Sequence, residues 1–178
     1  IKKSIKSKID IIITSGAVSA GKHDFIPSVI KQFTLSNFFK GVSIRPGKPI
    51  LFAKLKSFEK VVFGLPGNPI SSSACFRFFV YPYLLHILGV KTEKPFKAKL
   101  KNKFSKRKNF TRFVKAKLTS TNDGKLEIQV LKDQESYKIK SFVTSNVWGL
   151  FKNGQAHFKK GEFIECYSPT GSNINIFS

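Results

Sequence analysis

Three short loops gather residue types suited to holding an anion: TSGAVSAGKHDF (residues 14–25), SIRPGKP (residues 43–49) and GLPGNPISSS (residues 64–73). In the first, Gly16, Ser19 and Gly21 leave the backbone open to close approach and offer a hydroxyl donor. In the second, Arg45 and Lys48 flank a Pro-Gly turn. In the third, Pro66 and Pro69 fix the backbone around Gly67 and Asn68, and Ser71 lies in the first turn of an expected helix. The free N–H groups and partial positive charge of a helix start favour an oxyanion, and Arg45 and Lys48 add full charges. Asp24 is the one carboxylate in or beside these loops. A carboxylate there would hold a hard cation or orient an incoming oxyanion. Taken singly, each feature has a plainer reading: a Pro-Gly turn is a turn, serines at a helix start are caps, and Asp24 caps the helix that follows.

The elements that must carry these loops follow from the hydropathy pattern. Up to Gly89 the order is strand (IDIIIT), glycine loop, helix (FIPSVIKQF), strands GVSI, ILFAKL and KVVFGL, the tight PGNP loop, and a helix from ISSSACFRFFV onward. The unbroken apolar run IDIIIT predicts a strand covered on both faces, as in a parallel sheet. Alternating strands and helices predict an α/β domain with a partial, mostly parallel sheet, whose ligands collect at the carboxyl ends of the strands. After the linker VKTEKPFK the segments become short and alternating: FKAKL, NFTRFVKAKL, KLEIQVL and GEFIECYS, with the turn TNDG between the middle two. This predicts a small all-β, barrel-like domain. The expected boundaries are residues 1–93 and 94–178. Asn122, Asp123 and Gly124 are expected to supply positive φ angles at the hairpin turn.

Composition limits the remaining classes. The chain has 178 residues, 41% hydrophobic, with 19 Phe, which excludes a disordered chain. No apolar run reaches the ~20 residues of a spanning helix, so no membrane partner is expected and the location is read as cytoplasmic. Cys75 and Cys166 lie far apart with no C-x-x-C pair and read as buried small hydrophobes. His86 and His157 have no partners in register. The net charge of +22 comes from lysines scattered through strands and loops, so nucleic acid is disfavoured as a partner.

The succession SGAVSAGKHDF, IRPGKP and FGLPGNPISS, followed by an aromatic helix, resembles the C-terminal part of the molybdopterin molybdenumtransferase (MoeA and gephyrin E-domain) family. RKNFTR, QESYKIKSF and SNVWGL resemble pieces of its small β domain. The resemblance covers nearly the whole chain and implies a molybdopterin-binding, MogA-like α/β domain ahead of a small β barrel. It implies a transferase of molybdenum cofactor biosynthesis. Such an enzyme inserts molybdate into adenylylated molybdopterin with release of AMP, uses a magnesium ion, and is a homodimer when full-length. Asp24 matches an acidic position assigned to metal or molybdate handling, and Arg45 the basic residue before PGKP; both are read as catalytic, with Asp24 as the metal ligand. Gly16, Ser19, Gly21, Lys48, Pro66, Gly67, Asn68, Pro69, Ser71, Arg107 and Ser136 are read as substrate-binding. Two positions depart from the family pattern, Lys22 in place of an acid and Ala17 in place of a second glycine. Lys22 lowers the local negative charge, which disfavours a metal and favours an oxyanion. The family's N-terminal domains and its acidic TGDE-type loop have no counterpart in these residues, so the chain reads as an incomplete enzyme. The alternatives are a module that binds molybdopterin or serves as a scaffold without turnover, and, less favoured, a basic nucleic-acid-binding domain.

Overall fold

A computed structural model describes residues 1–18 and 25–171. In chain order the elements are α1 (Lys2–Ile5), β1 (Ile11–Ser15), α2 (Ile26–Ile30), β2 (Leu35–Lys40), β3 (Ile44–Arg45), β4 (Leu51–Leu55), β5 (Lys60–Leu65) and α3 (Pro69–Cys75). A π-helical turn (Phe76–Val80) and α4 (Tyr81–Ile87) come next. Then follow β6 (Phe96–Leu100), β7 (Phe104–Ser105), β8 (Thr111–Ser120), β9 (Leu126–Val130), α5 (Ile139–Val143), β10 (Val147–Phe151), β11 (His157–Phe158) and β12 (Phe163–Tyr167). Two compact units result: Ile1–Val42 with Gly47–Phe76, and Ser43–Pro46 with the residues from Arg77 onward. Among the described residues no helix is long and apolar enough to cross a membrane.

The first unit is a four-stranded sheet in the order β1-β5-β4-β2. Strand β5, KVVFGL, is buried along its whole length and forms the spine. It runs parallel to β1, with Ile11 opposite Val61 and Ser15 opposite Leu65, and antiparallel to β4. Strand β2 is antiparallel to β4. The sheet therefore has one parallel pair, because only the turn at residues 56–59 joins β4 to β5, and so short a link permits only an antiparallel return. Burial on both faces, expected for β1, belongs to β5 instead. β1 ends the sheet among the described residues, and Ile9 and Ile13 are each 43% exposed. The expected helix over FIPSVIKQF is confined to α2, with Pro27 in its first turn, and LSNFFK forms the unforeseen strand β2.

The second unit is a closed five-stranded barrel. The pairing runs β8-β9-β6-β12-β10, and β10 returns antiparallel to β8, which is long enough to pair with β10 through Arg112–Ala116 and with β9 through Ala116–Ser120. Alternation places Val114, Ala116 and Leu118 of β8 in a core with Ala98, Leu100, Ile128, Phe151 and Ile164. The two-residue strand β3 joins the outside of β8 in parallel. At the β8–β9 hairpin only Gly124 has a positive φ, +74°; Asn122 and Asp123 do not. The Thr121 N–H donates to the Lys125 carbonyl, so three residues make the turn, and a three-residue turn needs one left-handed position at its end rather than two in the middle. Cys75 and Cys166 are free and buried, as read from the sequence.

Candidate functional site

In the sheet unit, the parallel pairing of β1 and β5 ends both strands at the same level, so the loops that leave them emerge side by side. The Gly16 N–H donates to the Leu65 carbonyl at 2.9 Å, and the Ser15 hydroxyl reaches the Pro66 carbonyl at 3.5 Å. A Cβ on Gly67 would lie 3.5 Å from the Gly16 Cα, which puts the two glycine backbones in contact across the loops. Gly64 has a different purpose from the close ligand approach that its place in the loop suggests. A Cβ there would come within 2.5 Å of a Val18 methyl, and Val18 is buried over it, pinning the first loop onto β5. Pro69 opens α3, Ser71 is buried, and the Asn68 side chain makes no cap bond. Among the described residues the buried Asn68 Oδ1 has no hydrogen-bond partner. In the turn before β4, the Val42 N–H donates to the Lys48 carbonyl at 2.9 Å, and the buried Cys75 thiol donates to the Gly47 carbonyl.

In the barrel unit, parallel pairing sets Arg45 opposite Arg112. A cavity of about 90 Å³ is lined by Arg45, Lys106, Arg107, Phe110 and Arg112. The Arg45 guanidinium lies 5.4 Å from the centre of the Phe110 ring, and that of Arg112 lies 5.8 Å from Phe104. Burial, and then the charge of Arg45, push the Arg112 pKa below its ordinary value, while Glu135 opposes the shift. Burial, and then Arg112, lower Lys106 likewise. The Lys106 ammonium donates to the carbonyls of Phe110 and Gln155 at 2.8 Å each and to that of Arg107 at 3.3 Å. Lys106 thus ties the 106–110 loop shut while its charge stays at the cavity. Four like charges around so small a space suit an anion.

Ser136 sits on the segment after β9. Within that segment Gln134 grips the Lys115 backbone through both its N–H and its carbonyl, at 3.0 and 2.7 Å. The Ser141 hydroxyl donates to the Asp133 carbonyl at 2.7 Å.

Comparison with known proteins agrees with both halves of this arrangement. Residues 1–86 match the model of a probable molybdopterin binding domain, and residues 97–168 that of the MoeA C-terminal region, domain IV. A molybdopterin molybdenumtransferase of Synechococcus elongatus is 31% identical over 160 residues, which are 90% of this chain and 38% of that protein. One from Staphylococcus aureus is 32% identical over 167 residues, 93% of this chain and 39% of that protein. Along both halves the chain is similar to molybdopterin molybdenumtransferases. It spans about two fifths of the length of the curated relatives it matches. A molybdopterin biosynthesis MoeA protein of Pyrococcus horikoshii superposes over 96% of this chain and 40% of its own, with a TM-score of 0.68 at 28% identity.

Among the residues read as site residues of a molybdenumtransferase, the fold brings Gly16 beside Pro66 and Gly67 in one unit, and Arg45 beside Arg107 in the other. Lys48 belongs to the sheet unit and Arg45 to the barrel unit, although three positions separate them in sequence. Ser19, Gly21 and Asp24, together with Lys22, lie outside the described residues. Among the described residues no three His, Cys, Asp or Glu side chains gather as a metal site. Sequence reasoning passed over Lys106, Phe110, Arg112 and Lys115. The signal for Arg112 lay in RKNFTR, whose last arginine enters β8 in register with Arg45, whereas a lysine scattered among 32 basic residues carries no such mark.

Proposed function

We propose that this chain carries the oxyanion-binding part of a molybdopterin molybdenumtransferase, the enzyme that inserts molybdate into adenylylated molybdopterin with release of AMP. The observation that carries the reading is the barrel cavity walled by Arg45, Lys106, Arg107 and Arg112. Its volume of about 90 Å³ suits one tetrahedral oxyanion such as molybdate or a phosphate group. Arg45 and Arg112 present planar forks to it, Arg107 adds a third, and Phe110 walls one side with an apolar ring. In the other unit, the paired loops at Gly16 and Gly67 present backbone to a ligand, and the unpartnered Asn68 Oδ1 accepts a donor such as a pterin N–H. Asp24 and Arg45 are the proposed catalytic residues. Arg45 stabilises negative charge that develops on the transferred oxyanion, and Asp24 orients the incoming one.

The test is calorimetric titration of the chain with molybdate. The reading expects one saturable site per chain, lost in Arg112→Gln and in Arg45→Gln, with modest dependence on salt. Absence of binding, or binding unaffected by both substitutions, refutes it. A logarithmic fall of affinity with salt over several charges, with a nucleic-acid probe bound in place of molybdate, would assign the basic surface to nucleic acid instead.

A further inference from the structure

We propose that Lys115 is a positioning residue of the barrel's anion site: its buried ammonium draws in the carbonyls of Asp133, Glu135 and Lys138 and so fixes the segment that presents Ser136. Lys115 lies on β8 between Val114 and Ala116, both of which face the barrel core, so alternation turns it outward. An outward lysine on a barrel wall ordinarily reaches water. Here it is 1% exposed, one of the largest fully buried side chains among the described residues, because the chain following β9 roofs it over.

The ammonium has three N–H donors, and each finds a carbonyl: Asp133 at 2.7 Å, Glu135 at 3.1 Å and Lys138 at 3.1 Å. The three acceptors bracket Ser136. Asp133 holds a left-handed φ of +58°, and its carbonyl also accepts the Ser141 hydroxyl, so two side chains converge on the one backbone kink. The Lys138 carbonyl is shared by the same two donors, with Ser141 at 3.0 Å. Gln134 completes the attachment by bonding the Lys115 backbone and the Leu131 carbonyl. A charged amine is costly to bury, and an aliphatic side chain would serve a barrel wall as well. What the amine supplies is a fixed point for a polar segment that has little apolar surface of its own. On β8 Lys115 follows Arg112 of the cavity wall by three positions, so the segment it holds is anchored to the strand that carries that arginine, and the charge of Glu135 on the segment favours the protonated forms of both.

This inference rests on the proposed oxyanion reading, and the experiment separates the two. In the full chain, Lys115→Met keeps most of the length of the side chain and removes its donors. Amide hydrogen exchange of residues 133–138 is expected to accelerate at least tenfold, while that of Phe113–Leu118 and Val147–Phe151 keeps its wild-type protection. Molybdate affinity is expected to fall about tenfold, the scale of one lost buried hydrogen-bonding group. Adding Ser136→Ala to Lys115→Met should cause no further loss, since neighbours acting through one another are not additive. Unchanged exchange at 133–138, or fully additive losses, overturns the proposal. If Lys115→Met does not fold, Ser141→Ala removes the companion donor and is expected to loosen the same amides; unaltered protection there overturns it equally. A wild-type chain that binds no molybdate refutes the oxyanion reading, while the exchange measurement still decides whether Lys115 holds the segment. Wild-type binding retained undiminished in Lys115→Met refutes the Lys115 role alone.

Discussion

Arg45 and Arg112 stand opposite each other in the parallel pair of β3 and β8, and burial together with the charge of Arg45 pushes the Arg112 pKa below its ordinary value. Two guanidinium groups set together this way are a source of instability until an anion lies between them. Arg112→Gln is therefore expected to raise the unfolding midpoint of the anion-free chain and to abolish stabilisation by molybdate. In the wild-type chain, molybdate at a hundred times its dissociation constant should add about 2.7 kcal/mol. Thermal melts with and without molybdate, at matched ionic strength, check both halves. A midpoint that falls in Arg112→Gln and still responds to molybdate contradicts them.

The hold of β5 on the first loop gives a second prediction. Gly64 is buried opposite Leu51, and a Cβ there would lie 2.5 Å from Val18 Cγ1 and 3.2 Å from Leu51 Cβ. Gly64→Ala is expected to cost about 1–3 kcal/mol, the range for overpacking, because Leu51 is fixed in β4 and only Val18 can give way. Val18 leaving its seat would carry Gly16 away from Gly67. Chemical denaturation measures the loss, and the amide of Gly16, which bonds the Leu65 carbonyl, should lose protection first. Wild-type stability would show that the loop does not depend on this contact.

How far the sequence could be read depended on the range of the forces involved. The strands of the barrel were legible because alternation is local: Ala98 and Leu100 in β6, and Val114, Ala116 and Leu118 in β8, fall on one face by counting twos. The tight PGNP loop was legible for the same reason, since Pro66, Gly67 and Pro69 restrict their own backbone. Pairing partners were not. Nothing near Ile11 or Val61 states which strand is central, and the run IDIIIT proved to belong to an edge among the described residues while KVVFGL became the spine. The cationic cavity was half legible. Arg45 and Arg107 carry motif signals, but Arg112 joins them through a parallel register between segments 67 positions apart, by the numbering of Arg45 and Arg112. Lys115 had no signal, because a buried lysine and a surface lysine look alike until a loop closes over one of them.

The cysteines give a prediction in pH. Burial pushes the thiols of Cys75 and Cys166 up from 9.0 to about 12. In the unfolded chain they ionise near 9, so the unfolded state gains from each rise in pH between 9 and 12 and the folded state does not. Their contribution to stability is therefore intact below pH 9 and declines toward pH 12. The same burial keeps thiolate from forming, so a thiol reagent at pH 8 should leave both residues unmodified in the folded chain and label both in denaturant. Mass spectrometry after a timed exposure distinguishes these outcomes. Rapid labelling of either cysteine without denaturant would contradict its burial.

Gly67 separates a ligand-binding loop from a turn. It is exposed, its φ is not left-handed, and among the described residues a Cβ built on it meets only the Gly16 backbone, at an ordinary contact distance of 3.5 Å. Nothing among the described residues demands glycine there. If the residue is glycine because a ligand's backbone contacts need the space, Gly67→Val should leave the melting temperature within about 2 °C, since an exposed substitution costs at most ~0.5 kcal/mol. The same variant should lose molybdopterin binding, because two methyl groups would then stand between the Gly16 and Gly67 backbones and the ligand. If PGNP is only a turn, binding will track stability, and both will remain near wild type. Calorimetric titration with molybdopterin, run beside thermal melts of the same preparation, separates the cases, and intact binding in a fully folded Gly67→Val chain would remove this loop from the proposed site.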